Sequence, residues 1–138
     1  MKSIKKALLI LFIIIIIGFV YAFYQYNKTN QSLQNQKADY AVIYTELINE
    51  FETNEEKSNE KYLDKIIEFD CVISEVHKEN GNINVSIKGN DLTGIDCTFE
   101  KNSNYNLIKA KEGKHVKIKG KCAGLLLDIV FVDCVIVN

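Results

Sequence analysis

The chain has 138 residues, 47% hydrophobic and 25% charged, which excludes wholesale disorder and fits one domain of ordinary size. All 17 cationic side chains are lysine, and the lack of arginine, whose planar fork suits phosphate and base-edge contacts, counts against sequence-specific nucleic-acid recognition. The net charge of −1 is unevenly spread: Lys2, Lys5 and Lys6 precede a hydrophobic run and all 18 acids follow it, so the remainder is mildly acidic and does not gather polyanions by its net field.

The first element is ALLILFIIIIIGFVYAFY, Ala7 to Tyr24, without a charge or a strongly polar side chain. As a helix it is roughly 27 Å long, enough to cross a hydrocarbon core. Tyr21, Phe23, Tyr24 and Tyr26 gather at its far end, where aromatic rings favour the interface. The three leading lysines hold the N-terminus in the cytoplasm, so residues 1–26 read as a transmembrane signal-anchor. The expected location is the cytoplasmic membrane, single-pass, with the C-terminal domain outside. The competing reading is a signal peptide cleaved after Ala22, with Val20 and Ala22 as the small residues a peptidase reads. No cysteine lies near the end of the run, which excludes a lipoprotein anchor.

Residues 27–38, NKTNQSLQNQKA, are polar and low in complexity and read as a spacer. Residues 39–65 read as a helical lead-in. Tyr40, Ile43, Tyr44, Leu47, Ile48 and Phe51 recur at spacings of three and four, which predicts an amphipathic helix with Asp39 as its N-cap. A second short helix is expected from Asn54 to Lys65, docked by Tyr62 and Leu63.

From Ile66 the period changes to two. Ile67, Phe69, Cys71 and Ile73 alternate with polar residues, and the phase slips near Ser74 and Glu75, which suggests a bulge. Asn80-Gly81 is a hairpin signal. A second strand places Ile83, Val85 and Ile87 inward, and a third Ile95, Cys97 and Phe99. A polar, helical connection spans residues 102–111, and a fourth strand sets Val116, Ile118 and Cys122 against His115, Lys117, Lys119 and Lys121. Gly124 marks a turn before the last strand, DIVFVDCVIV. The expectation is a mainly β protein with N-terminal helices: a five-stranded OB-fold Greek-key barrel over 66–138, preceded by a transmembrane helix and an amphipathic helix.

The segments NEEKSNEKYLDKIIEFDCVISEV (Asn54 to Val76), GIDCTFE (Gly94 to Glu100) and KGKCAGLLLDIVFVDCVIV (Lys119 to Val137) resemble the tRNA_anti-like family of OB-fold domains. The resemblance covers residues 38 to 138. It implies kinship with anticodon-binding barrels and a fold, but brings no set of functional residues.

Candidate sites are few. The outward face of the second and third strands shows Asn82, Asn84, Ser86 and Thr98, a candidate groove for an oligosaccharide or small ligand. It has no aromatic platform, so nucleic acid is not the expected partner. Lys114, Lys117, Lys119 and Lys121 form a candidate patch for an anionic partner, against the plain reading of a solvated strand face that resists edge pairing. Strand order makes Cys97–Cys134 and Cys71–Cys122 the candidate disulfides, against four small buried hydrophobes. No metal spacing is present, and only His77 and His115 could supplement the thiols. No cofactor motif, serine elbow or paired acid appears, and Asp128 and Asp133 have no base or nucleophile beside them in sequence. The expected function is a non-catalytic binding or adaptor module for an envelope protein or glycan.

Overall fold

A computed structural model of the chain describes residues 2–29 and 32–137, with side chains for 11–24 and 32–137. It divides into two units, Met1–Gln31 and Ser32–Asn138. The first is one helix, α1 (Lys2–Thr29), whose residues from Leu11 to Tyr24 are all exposed. Among the described residues no helix is long and apolar enough to cross a membrane. The expected span starts at Ala7. Its first residues, its flanking lysines and Tyr26 have side chains outside the described set, so the anchor rests on sequence.

The second unit is mainly β. Its elements are β1 (Tyr40–Ile43), α2 (Tyr44–Thr53), α3 (Glu55–Tyr62), β2 (Ile66–Val72), β3 (Glu75–Glu79), β4 (Asn82–Ile87), β5 (Ile95–Phe99), α4 (Tyr105–Lys109), β6 (His115–Leu125) and β7 (Ile129–Val137). The sheet is mixed, in the order β1-β2-β6-β7-β5-β4-β3. β5 and β7 run parallel, as do β1 and β2, and the other neighbours are antiparallel.

Seven strands replace the expected five, for two physical reasons. The long first strand breaks at Ile73-Ser74. Ile73 N–H donates to the Lys114 carbonyl and Ser74 N–H to that of Ser86, so the backbone leaves β6 and joins β4 within two residues. β2 and β3 are thus consecutive in the chain yet far apart in the sheet order, which requires the sheet to curl. Counting β2 and β3 as one bent strand gives the OB strand order, but the sheet is open, with β1 and β3 at its edges, where a closed five-stranded barrel is expected.

The other added strand is β1, where a helix from Asp39 is expected. YAVI suits a strand, and it pairs with β2 from Tyr40 opposite Ile67 to Ile43 opposite Asp70. Asp39 serves this pairing instead of capping a helix. Its N–H donates to the Ile66 carbonyl at 2.8 Å, and its carboxylate accepts the Ile66 N–H at 2.9 Å. α2 therefore starts four residues late, without a side-chain cap. The second helix forms as expected, with Asn54 accepting the Lys57 N–H.

Alternation places the core where it is expected. Ile67, Phe69, Cys71, Val85, Cys97, Ile118 and Cys122 are buried, Phe131 and Cys134 of the last strand join them, and Leu47, Ile48, Phe51 and Tyr62 cover them from α2 and α3. The Asn80-Gly81 turn has both residues at positive φ, the type I′ geometry that a two-residue hairpin needs. Two further irregularities are bulges. Gly124 lies inside β6 at φ +99°, so the turn falls later, at residues 126–128. Asp133, exposed as expected, sits at φ 54° where the pairing of β7 with both neighbours shifts register.

A candidate ligand cleft beside the connecting helix

Segment 27–38 is expected to be a spacer, but from Ser32 onward it is folded onto the barrel. Leu33 is buried in a 3₁₀ turn (Leu33–Asn35), its N–H donating to a Glu100 carboxylate oxygen at 2.7 Å. Lys119 Nζ donates to the Gln36 carbonyl at 2.8 Å. These contacts form one wall of an open cleft of about 590 Å³ at the end of the barrel where β5 and β7 finish.

The opposite wall is α4. Ile108 is buried and fixes the helix, while the Asn104 side chain accepts the N–H groups of Asn106 and Leu107. Gly113 N–H then donates to the Ile73 carbonyl at 2.8 Å, tying the following turn to the break between β2 and β3. Phe99, Ile108 and Val135 make an apolar floor. Leu107 stands over it, 67% exposed, with Lys111 and Lys114 on the rim and Ser32 and Gln34 at the lip. A concave, mostly apolar site with a few polar groups is the usual form of a small-ligand pocket. Sequence reading treats residues 102–111 as a polar connection and misses this cleft. The available signal is Leu107, an apolar side chain beyond the one that α4 needs to dock.

The expected groove has a different character. Thr98 Oγ1 donates to Asn84 Oδ1 at 3.1 Å and Ser86 Oγ to Asp96 Oδ1 at 2.8 Å, so three of its four polar residues are paired across strands. Asn82 stands exposed at the hairpin, and no aromatic side chain lies among these residues.

The expected lysine patch does not form one surface. Lys117 is bridged to Glu68 at 3.4 Å and Lys121 to Asp64 at 3.1 Å. Lys119 is only 6% exposed, because segment 33–36 lies over it, so it is not part of a solvated face. Lys114 is the exposed member of the four that enters no ion pair among the described residues, and Lys111 joins it across the cleft rim. Lys109 is engaged by Glu112, which holds that carboxyl below its ordinary range.

The four cysteines are free and buried. Cys71–Cys122 cannot form a disulfide. Cys71 lies opposite Val116, whereas Cys122 N–H bonds the Lys65 carbonyl, six residues back along β2. That is roughly 20 Å, against the 7 Å or less that a disulfide allows. Cys97 and Cys134 are neighbours sharing a hydrogen bond, and burial, followed by that bond, pushes the Cys97 thiol well up. Burial also raises Cys71, to about 12, and Cys122. Such thiols are poor nucleophiles.

His77 contacts Glu75 on an exposed strand, and His115 is exposed at the start of β6. Among the described residues no three His, Cys, Asp or Glu side chains are grouped to hold a metal. Asp128 serves the fold, because its carboxylate accepts the Gly94 N–H at 2.6 Å and so joins the β6–β7 turn to the start of β5.

The family model described as tRNA_anti-like matches residues 1–136. The chain belongs to the tRNA_anti-like family. Among solved structures, it is similar to a lipoprotein of Klebsiella pneumoniae provisionally named as nucleic acid-binding, with TM-score 0.60 and 15% identity over 71% of this chain and 92% of that one. It is also similar, at TM-score 0.45 and 12% identity, to a provisionally named aspartyl-tRNA synthetase of Leishmania major, over 85% of this chain and 25% of that one. No curated protein matches the chain. At such identity the Klebsiella likeness shows a shared fold, which here carries β1 and a broken first strand in a family of OB-type barrels.

Proposed function

We propose that this chain is a non-catalytic binding module, anchored in the cytoplasmic membrane by Ala7–Tyr24, that holds its OB-type barrel outside and takes a ligand in the α4 cleft. The observation that carries the reading is the cleft itself, an apolar floor of Phe99, Ile108 and Val135 under the exposed Leu107. The hydrophobic run and its lysine-rich leader support the anchor. The raised, buried thiols and the structural use of Asp128 leave few side chains with a catalytic disposition.

Topology is tested with C-terminal reporter fusions: a phosphatase active only outside should work, and a β-galactosidase active only inside should not. Intact mass separates the anchor from cleavage after Ala22. The site is tested by thermal shift of the full chain in detergent against short amphiphiles, chito-oligosaccharides and single-stranded oligonucleotides. A ligand at a hundred times its Kd stabilises by about 2.7 kcal/mol. Leu107→Asp should remove the shift while Asn84→Ala with Thr98→Val retains it; the reverse pattern moves the site to the strand groove.

A nucleic-acid reading comes with the name of the Klebsiella lipoprotein. Against it stand the mildly acidic exported chain and the self-paired, non-aromatic face of β4 and β5. A stabilising shift with oligonucleotides alone would favour it.

A further inference from the structure

We propose that the α4 cleft takes one acyl chain of an anionic phospholipid, its phosphate held between Lys111 and Lys114. The inference depends on the binding reading above and names its ligand.

Several lysines enter no ion pair among the described residues, and Lys111 and Lys114 are the two of them that line the cleft. Among the 14 lysines beyond the hydrophobic run, Lys61, Lys109, Lys117 and Lys121 are matched by carboxylates, and Lys119 is buried against a carbonyl. Lys111 and Lys114 are exposed, enter no ion pair among the described residues, and line an apolar floor. Glu100, the acid of the cleft, is occupied by the Leu33 N–H. A cationic rim over an apolar slot complements an amphiphile with an anionic head. A free polyanion would leave Leu107 and the floor unused.

The chain itself supplies the second argument. Ser32 stands at the lip of the cleft, eight residues after Tyr24, the last residue of the hydrophobic run. Eight residues reach at most roughly 29 Å when fully extended, an upper limit that leaves lipid headgroups within reach of a tethered domain. Headgroup attraction falls off within a Debye length, about 8 Å at physiological salt, so the contact requires Lys111 and Lys114 to meet the headgroup directly.

The test uses the full chain in nanodiscs carrying a trace of phosphatidylglycerol with a photoactivatable acyl chain. Parallel discs carry the same probe on phosphatidylcholine, and adducts are mapped by mass spectrometry. Labelling of residues 7–24 reports the anchor, and labelling of residues 102–109 reports the cleft. The expected result is anchor labelling from both probes and cleft labelling from the anionic probe. Lys111→Glu with Lys114→Glu should reduce cleft labelling by about tenfold or more at an unchanged thermal midpoint. Lys111→Gln with Lys114→Gln should give a smaller loss in the same direction. A labelled anchor with an unlabelled cleft overturns the lipid site and leaves the anchor standing. Equal cleft labelling from both probes, insensitive to the lysines, overturns the phosphate contact and the choice of an anionic lipid. An unlabelled anchor removes the membrane reading and this inference with it.

Discussion

The two ends of the barrel expose similar side chains in opposite settings. Where β5 and β7 begin, Leu92, Leu126 and Leu127 stand 82–89% exposed on adjoining loops, with Asp91 and Asp128 beside them in sequence. Where the same strands finish, Leu107 is also exposed, but over a concave apolar floor with lysines on the rim. The first end is fixed by a local turn at Asn90 and by bonds from that loop to α2 and to the β6–β7 turn. Asn90 accepts the N–H groups of Leu92 and Thr93 and donates to both Glu52 oxygens, and Asp128 accepts from Gly94. The second end is fixed by long-range contacts from the entering chain, Leu33 to Glu100 and Lys119 to Gln36. An exposed leucine by itself says little about function. Concavity and unpaired charge around it separate the cleft from the loop tips.

The sharpest way to break the first end is Gly89→Ala. An added Cβ would meet the Thr93 carbonyl oxygen inside van der Waals contact, with Ile48 Cδ1 behind it. Backbone cannot step aside as a side-chain tip can, so a loss of about 3 kcal/mol is expected. Urea unfolding measures it, and hydrogen exchange should show loop 88–94 opening first. Gly113→Ala at the cleft end is the control. Nothing lies within 4 Å of that position, so only its φ of +74° resists, and about 1 kcal/mol is expected. Equal losses at the two glycines would remove the distinction between a tightly packed end and an open one.

The long-range end is probed by Lys119→Met, which keeps the stem and removes the bond to the Gln36 carbonyl. A loss of about 1 kcal/mol is expected, because the half-exposed carbonyl can turn to water. The sharper readout is trypsin cleavage at Lys37, which should accelerate while cleavage elsewhere does not. Unchanged protection at Lys37 would mean that Leu33 alone holds the segment.

How much of this was legible depended on whether the deciding contacts were local. From Ile66 onward one strand face is buried, so a period of two placed Ile83, Val85, Ile95 and Phe99 in the core. The strand YAVI was not legible, because Tyr40, Ile43, Tyr44 and Leu47 also fit a helical stripe, and pairing with β2 decided between them. Lys119 follows the same alternation as Lys117 and Lys121, and only the distant segment 33–36 distinguishes it. The cleft joins residues 32–34, 99–111 and 135–136, which no local window contains. Cys71 and Cys122 sit on neighbouring strands as expected, but the register that separates them was not available from spacing.

Between the two ends lies a core that should respond to neither. Burial raises the Cys71, Cys97 and Cys122 thiols, so iodoacetamide at pH 8 should leave them unmodified in the folded protein and alkylate them on unfolding. Rapid labelling of the native protein would show the barrel opening between its ends.

The smallest expected effect is acidic. Glu50 lies between α2 and α3 and bonds Lys61 at 2.9 Å, which lowers its carboxyl below the ordinary range. A depressed folded value means that the pair stabilises the protein above the unfolded carboxyl pKa, near 4.3, and that this is lost as pH falls through the folded value. Both side chains are over 40% exposed, so solvent screening limits the contribution to about 0.5 kcal/mol or less. Thermal melts from pH 6 to pH 3 should therefore fall slightly less steeply in Glu50→Gln than in the parent chain. Glu112, held by Lys109 at the cleft end, shifts in the same direction and for the same first cause, a lysine hydrogen bond. Glu112→Gln should flatten the same acid window, and it also frees Lys109 beside the rim. If the rim lysines recruit anionic lipid, that variant binds more of it, whereas Glu50→Gln at the other pair does not. One pair of substitutions thus reads the two ends apart by ligand, where acid stability alone reads them alike.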